Sequence, residues 1–252
     1  MLSYGRERPF INQSPPYTLL QGEGGAKNII GEIYMTRERR NINAFLQQVR
    51  LGIQNAQDVP EIASALAGFG FDAARVQAGA TLLATAETLQ AVQVKEYSEQ
   101  YQATTALDAA QAAADKLFGT HRKLAKLALR DDPEAQKALL LHERKKETLD
   151  PWLGQAGVFY KNVLGDPDML AALAQYNVTE AQLLAGQTAV VAVANLNASQ
   201  EKEKSEAQKA TKARDKALDD LDEWYVEFRE LARIALEDDA QQLEALGLGS
   251  IP

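Results

Sequence analysis

Two long stretches of the sequence, residues 72–130 and 179–237, contain no proline and share one pattern of apolar, small and polar positions. The pattern recurs at alternating intervals of three and four residues, which is typical of helices that pack along one side, as in coiled coils. In the first stretch its members are Leu89, Gln93, Glu96, Gln100, Ala103, Leu107, Ala110, Ala114, Leu117, His121, Leu124 and Ala128. In the second they are Leu196, Gln200, Glu203, Ala207, Ala210, Arg214, Ala217, Leu221, Trp224, Phe228, Leu231 and Ala235.

The middle of each pattern is small or polar, and its alanines would let two helices approach closely. A break near Thr104 or Thr211 is the competing interpretation, because each threonine has an aspartate four residues later and could cap a new helix. No glycine or proline marks a turn there, and the spacing does not slip. We therefore predict continuous helices of roughly 55 residues, about 80 Å long.

The sequence also matches itself at an offset of 107 residues. Residues 45–141 align with residues 152–248 without a gap, and roughly a third of the aligned positions are identical. The clearest shared segment runs from Arg122 to Asp132 and from Arg229 to Asp239, with the form Arg-x-Leu-Ala-x-x-Ala-Leu-x-Asp-Asp. We predict an all-α fold made of two tandem copies of one helical unit, with long coiled-coil-like helices in a pseudo-twofold bundle. The shared positions are mostly apolar or at helix ends, so they indicate a duplicated scaffold more than two equivalent sites.

Shorter helices are predicted around the two long ones. A first helix from Thr36 to about Gln57 has its counterpart from Leu149 or Trp152 to Leu164. Prolines 60 and 167, preceded by Asp58 and Asp166, begin short second helices that end near Gly70 and Asn177, residues that tolerate a left-handed cap. The predicted N-caps of the long helices are Asp72 and Thr179, and those of the short last helices are Asp132 and Asp239.

The division that follows is an extended N-terminal arm (residues 1–35), a first repeat (36–141), a linker (142–151) and a second repeat (152–248). The arm contains three prolines and a glycine-rich segment. Its Gly22 to Lys27 segment does not satisfy the phosphate-loop pattern, and no predicted strand precedes it.

The amino-acid composition of the chain excludes several classes of function. The 252 residues carry a formal charge of −8, which argues against nucleic acid and anionic membrane surfaces as partners. The absence of cysteine excludes disulfides, thiolate metal sites and cysteine nucleophiles. No apolar run is long enough for a signal peptide or a membrane-spanning helix, so we expect a cytoplasmic protein, with export by a route without a cleaved signal as the alternative.

Few residues suggest chemistry. Neither His121 nor His142 belongs to a Glu-x-x-His or HExxH pattern; we interpret His121 as a core or boundary residue and His142 as part of a solvated linker. The pairs Asp131-Asp132 and Asp238-Asp239 could offer oxygen ligands to a cation, but helix capping explains them better. Arg122 and Arg229 are expected to have surface or intra-unit partners. We therefore predict no catalytic, cofactor-binding or metal-binding residue and no cofactor.

Aromatic residues concentrate in and around the second repeat. They could line a pocket for an apolar ligand, although filling the core is the simpler interpretation. The residues concerned are Trp152, Phe159, Tyr160, Trp224, Tyr225 and Phe228.

Several short segments carry a resemblance. They are Met35-Thr-Arg-Glu-Arg-Arg40, Val59-Pro60-Glu61-Ile62, Val94-Lys95-Glu96-Tyr97 and the repeated Arg-x-Leu-Ala-x-x-Ala-Leu-x-Asp-Asp. On these segments, about residues 35–248 of the chain resemble a group of uncharacterised duplicated helical proteins from Bacteroidetes-type bacteria. The resemblance implies an all-helical fold and no particular function.

We expect a non-enzymatic structural or scaffolding protein that acts through helix packing. Its partner would be a second copy or another protein, bound through the N-terminal arm or through helix faces. The alternative is a helical module that binds a small apolar ligand.

Overall fold

A computed structural model describes residues 42–249, and every regular element in that range is a helix. The chain divides after Phe45 into two compact units, and the first contributes only residues 42–45 to this description. The helices are α1 (Ile42–Asp58), α2 (Pro60–Gly68), α3 (Ala73–Ala128), α4 (Pro133–Ala138), α5 (Leu149–Leu164), α6 (Pro167–Ala174), α7 (Glu180–Ala235) and α8 (Ala240–Ala245). The all-α prediction is confirmed. The predicted arm and the proposed cap Thr36 lie outside the described residues.

The two long helices, α3 and α7, are continuous over 56 residues each and pack antiparallel. The indole nitrogen of Trp224, near the end of α7, donates to the carbonyl of Arg75, near the start of α3, at 3.1 Å. Near the middle, the Gln200 amide lies 3.4 Å from the Thr104 hydroxyl. At 1.5 Å per residue, each helix is about 84 Å long.

The predicted continuity is confirmed, and the threonines at the candidate break bond within their own helices. The Thr104 hydroxyl donates to the carbonyl of Gln100 at 3.0 Å, and the Thr211 hydroxyl donates to that of Ala207 at 2.9 Å. Both bonds lie within the same helix, four residues back, so neither side chain is free to cap a new helix.

Local signals placed most helix ends correctly. Asp72, Thr179, Asp132 and Asp239 each accept a hydrogen bond from a backbone N–H in the first turn of α3, α7, α4 and α8. Gly70 and Asn177 have positive φ angles of 82° and 58°, as their positions after α2 and α6 predicted.

One helix start differs from prediction. Asp58 is the last residue of α1, so Val59, which has no side-chain cap bond, precedes α2; Asp166 does cap α6. Helix α5 begins at Leu149, the earlier of its two predicted starts, and so includes the last residues of the predicted 142–151 linker. After α4, Leu140 adopts a left-handed φ of 54°.

One part of the core lies where the second half of α3 meets α5, α6 and the first half of α7. Phe118 is at its centre, with ring centroids 5.5 Å from Phe159 and 6.2 Å from both Trp152 and Tyr160. Edge-to-face and tilted contacts of this kind suit the ring quadrupoles. The predicted core role of these aromatic residues is confirmed, since all four side chains are buried.

A second aromatic group packs where α3 begins and α7 ends. Phe71 lies 5.8 Å from Trp224 and 5.6 Å from Phe228, and the last two rings are stacked at 5.2 Å. Gly79 makes this possible, because a Cβ atom there would lie 2.1 Å from the Trp224 ring. The glycine is therefore required by close packing rather than by its backbone angles.

Candidate functional site

His121 is buried in the aromatic core and has one hydrogen-bond partner. Its Nδ1 lies 3.0 Å from the hydroxyl of Tyr160 on α5. Burial lowers the pKa of His121 and raises that of Tyr160, because the charged form of each is poorly solvated there. Both groups are thus held neutral and hydrogen-bonded inside the protein. The prediction that His121 belongs to the core is confirmed.

Arg122, the next residue, holds the loop after α4. Arg122 as a whole is only 8% exposed. Its guanidinium donates to the carbonyls of Leu140 at 3.1 Å and Leu141 at 3.4 Å, and also to that of Glu143. Burial lowers its pKa, partly offset by the charge of Glu143. The predicted intra-unit role is confirmed for Arg122. Arg229 lies over the Tyr225 ring at 5.2 Å, which is also a contact within its own helix.

The polar segment around His142 is exposed, as predicted, but it is also tied to the helices. Lys145 forms an ion pair of 2.7 Å with Asp115, and the same carboxylate accepts a 2.8 Å hydrogen bond from the Trp152 indole. Gln155 accepts from the backbone N–H of Lys146 at 3.0 Å. The linker is therefore a fixed connection and not a loosely solvated one.

The Asp-Asp pairs divide their roles between the two residues. Asp132 caps α4 and Asp239 caps α8, which confirms helix capping for the second member of each pair. Asp131 is exposed and pairs with Arg130 at 3.1 Å. Near it is an open cavity of about 520 Å³ with carboxylates in its lining. Two of these carboxylates, Asp132 and Asp166, are already occupied as N-caps.

A central groove lies between the middle of α3 and the middle of α7, with a volume of about 940 Å³. Three glutamates in its lining, Glu96, Glu203 and Glu206, offer carboxylate oxygens within 4.8 Å of one another. Such oxygens are ligands for hard cations. The repeated pattern contains Glu96 and Glu203 but not Glu206, and it does not show which residues of the two helices lie opposite each other, so this group was not predicted.

Lysines already offset the charge of this group. Lys95 lies 3.6 Å from Glu96 and 3.0 Å from Glu99, and the hydrogen bond to Glu99 raises the pKa of Lys95. On α7, Lys202 lies 3.6 Å from Glu206. Glu96 and Glu206 therefore belong to surface ion pairs.

A separate side of α3 carries exposed apolar residues. Val94 is 58% exposed, Tyr97 50% and Tyr101 74%. We call these three residues the tyrosine stripe. None of them lines the central groove. Val94 and Tyr97 belong to a segment that carries the resemblance. The spacing of three and four residues from Val94 to Tyr97 and Tyr101 was the signal for a common side of the helix.

No helix among residues 42–249 combines the length and the hydropathy needed to cross a bilayer. The chain matches no family model, no curated protein and no solved structure. The resemblance to duplicated helical proteins of Bacteroidetes-type bacteria therefore stays a prediction, and function is inferred from geometry alone.

Proposed function

We propose that this protein is a non-enzymatic structural protein that acts by helix-mediated association, with itself or with another protein. The single observation that carries the proposal is the tyrosine stripe. Tyrosine is enriched in the buried centres of protein interfaces, where a large amphipathic ring is desolvated. Tyr97 and Tyr101 are each at least half exposed and lie beside Val94 on one side of the helix. Such an interface buries surfaces of this kind.

The scaffold itself does not require apolar residues at these positions. The positions 107 residues later on α7 hold Glu201, Lys204 and Gln208, and α7 is a continuous helix of the same length as α3. A helix of this kind thus tolerates polar residues there. The fold of the single chain therefore does not explain why α3 carries apolar residues at these positions.

The titratable groups singled out by the sequence support the same proposal. His121 and Tyr160 bind each other in the core, and Asp132 and Asp239 bind helix N-termini. Each is engaged in holding the fold. We accordingly propose no catalytic role for them.

We further propose that the chain is an internal duplication with a pseudo-twofold, coiled-coil-like helix pair. The starts of α3 and α7 are 107 residues apart, as are those of α2 and α6 and those of α4 and α8, which supports the proposal. Gly79 and Gly186, equivalent at the same offset, both face aromatic rings closer than 3 Å to an added Cβ. The test is an experimental structure in which residues 45–141 and 152–248 are superimposed; failure to superimpose would end it.

The N-terminal arm is the other predicted connector, and it lies outside the described residues. Its role stays a prediction. Deleting residues 1–34 should weaken association if the arm is the connector and leave association unchanged if helix faces suffice. The cytoplasmic location also stays a proposal, and fractionation of the host cell would test it.

The alternative function is binding of a small apolar ligand. Three of the aromatic residues that suggested it, Trp152, Phe159 and Tyr160, pack against Phe118 in the core, which gives the alternative less support. Native mass spectrometry of the protein purified from its own host distinguishes the two. A bound small molecule of defined mass would favour the alternative.

The main proposal is tested by sedimentation velocity of the full chain over a wide concentration range. We expect the weight-average mass to rise with concentration. A constant monomer mass, together with no partner retained from host extract by the immobilised chain, would overturn it.

A further inference from the structure

The side of α3 that carries the tyrosine stripe is free of charged side chains from residue 88 to residue 107. Between residues 88 and 107 the charged residues are Lys95, Glu96 and Glu99. With about 100° of rotation per residue, Val94 and Tyr101 lie about 60° and 40° from Tyr97 around the helix axis, whereas Lys95 and Glu99 lie about 160° away. Glu96 lies about 100° from Tyr97, and all three charged residues line the central groove, on a different side of the helix.

The corresponding segment of α7 is strongly charged. Residues 195–214 contain Glu201, Lys202, Glu203, Lys204, Glu206, Lys209, Lys212 and Arg214. The charge-free surface therefore distinguishes this segment of α3 from its counterpart on α7. Interface centres are depleted of charge in the same way.

We propose that the occupant of the tyrosine stripe is the tyrosine stripe of a second copy of this chain. This inference rests on the proposed function and names its partner. Two copies that each carry a charge of −8 repel one another, and the repulsion is smallest where the approaching surfaces hold no charge. An isologous contact between two such stripes needs no ion pairs, because each stripe offers the other the same uncharged aromatic surface.

The ends of the surface indicate the direction of packing. Glu87, which pairs with Arg50 of α1, lies beyond one end, and Asp108 lies beyond the other. Parallel helices would bring the two copies of Asp108 together, which is unfavourable. Antiparallel helices centred on Tyr97 bring Asp108 of each copy toward the Arg50–Glu87 pair of the other. The antiparallel contact is therefore the favoured one.

The contact is small. The stripe covers about 10 Å of helix, far less than the roughly 800 Å² per partner that a tight interface buries. The dimer is accordingly weak and dissociates on dilution. Raising the salt concentration should strengthen it, because salt screens the repulsion between the two acidic chains while no ion pair is lost.

The test replaces the stripe by the residues that α7 already carries at the equivalent positions: Val94→Glu, Tyr97→Lys and Tyr101→Gln. The matched control, Leu184→Glu with Val191→Lys, adds the same charges at two exposed apolar positions of α7. Thermal unfolding of the full-length variants verifies that each is folded. We expect the stripe variant to raise the dimer dissociation constant at least about tenfold in sedimentation velocity, and the control to leave it near that of the parent.

The outcomes separate the two proposals. If the parent associates and the stripe variant associates equally well, the stripe is not the contact, while the proposed function stands. If the parent is monomeric at every concentration, self-association through the stripe is overturned; retention of a different protein from host extract would then leave the proposed function standing, and its absence would remove both.

The direction is tested with single cysteines, since the chain has none of its own. Gln90→Cys and Thr105→Cys chains are mixed and oxidised. Antiparallel packing predicts disulfides between the two different chains, and a Lys95→Cys chain, with its cysteine on the groove side, should form few. Disulfides joining identical Gln90→Cys chains in preference would overturn the antiparallel arrangement.

Discussion

The Nδ1 atom of His121 and the hydroxyl of Tyr160 lie 3.0 Å apart inside the aromatic core. Because burial lowers the pKa of His121, the folded protein resists protonation there, whereas the unfolded chain takes up a proton near pH 6.5. The unfolded state therefore binds more protons than the folded state as the pH falls below that value. Stability contributed by the neutral imidazole is present above about pH 6.5 and is lost as the pH drops toward the folded-state pKa.

We expect the free energy of unfolding to decrease as the pH falls below about 6.5, with a slope of at most about 1.4 kcal/mol per pH unit from this group. The measurement is urea unfolding followed by the helical circular dichroism signal at several pH values. The double variant His121→Phe with Tyr160→Phe removes both polar groups together and should flatten this decrease. An unchanged slope in the double variant would mean that His121 is not its source.

Gly79 is predicted to be essential for packing. The substitution Gly79→Ala should lower the free energy of unfolding by about 1–3 kcal/mol, because the new methyl group overlaps the Trp224 ring. The matched control is Gly119→Ala in the same helix, where nothing lies within 4 Å of the added Cβ. The control should raise stability by about 0.5–1 kcal/mol through helix propensity. Equal effects of the two substitutions would contradict the predicted overlap.

Arg122 is predicted to stabilise the loop after α4 through its carbonyl bonds. Replacing it with methionine should cost about 1–3 kcal/mol, since partly buried carbonyls would lose their donor. The control, Arg130→Met, removes an exposed arginine two residues after the end of α3. It should change the free energy of unfolding by less than about 0.5 kcal/mol. Chemical unfolding of both variants gives the comparison. If Arg122→Met left the free energy of unfolding unchanged, this would show that water replaces the lost donor.

The cap assignment makes neighbouring aspartates behave differently. Asp132→Ala should lower the free energy of unfolding by about 0.5–2 kcal/mol, and Asp131→Ala should have little effect. A cation site would predict instead that both substitutions matter and that added Ca²⁺ raises the melting temperature of the parent. Thermal unfolding of the parent and both variants, with and without Ca²⁺, distinguishes these cases.

Much of the secondary structure was predictable because its signals are local. Asp72 and Thr179 mark helix starts through bonds to residues three positions ahead, and Gly70 and Asn177 mark the left-handed turns that follow short helices. The left-handed Leu140 could not be predicted in this way. Its conformation is held by Arg122, whose position depends on how α3 packs.

The surface features were harder to predict than the helices. The spacing of Val94, Tyr97 and Tyr101 indicates one side of a helix but does not say whether that side faces a neighbour or solvent. The glutamates of the central groove meet only because α3 and α7 run antiparallel. The repeated pattern predicts that the two helices pack along one side, but it does not say which of their residues lie opposite each other.

The antiparallel pairing of α3 and α7 also determines when, during synthesis, the fold can be completed. Arg75 and its partner Trp224 are separated by 149 residues, so the start of α3 leaves the ribosome well before its partner exists. At typical synthesis rates this interval is about 8–30 s. During this interval the nascent chain exposes an apolar helix side that the finished protein covers. Translation speed and chaperone access should therefore influence the yield of folded protein more strongly than the stability of the finished protein does.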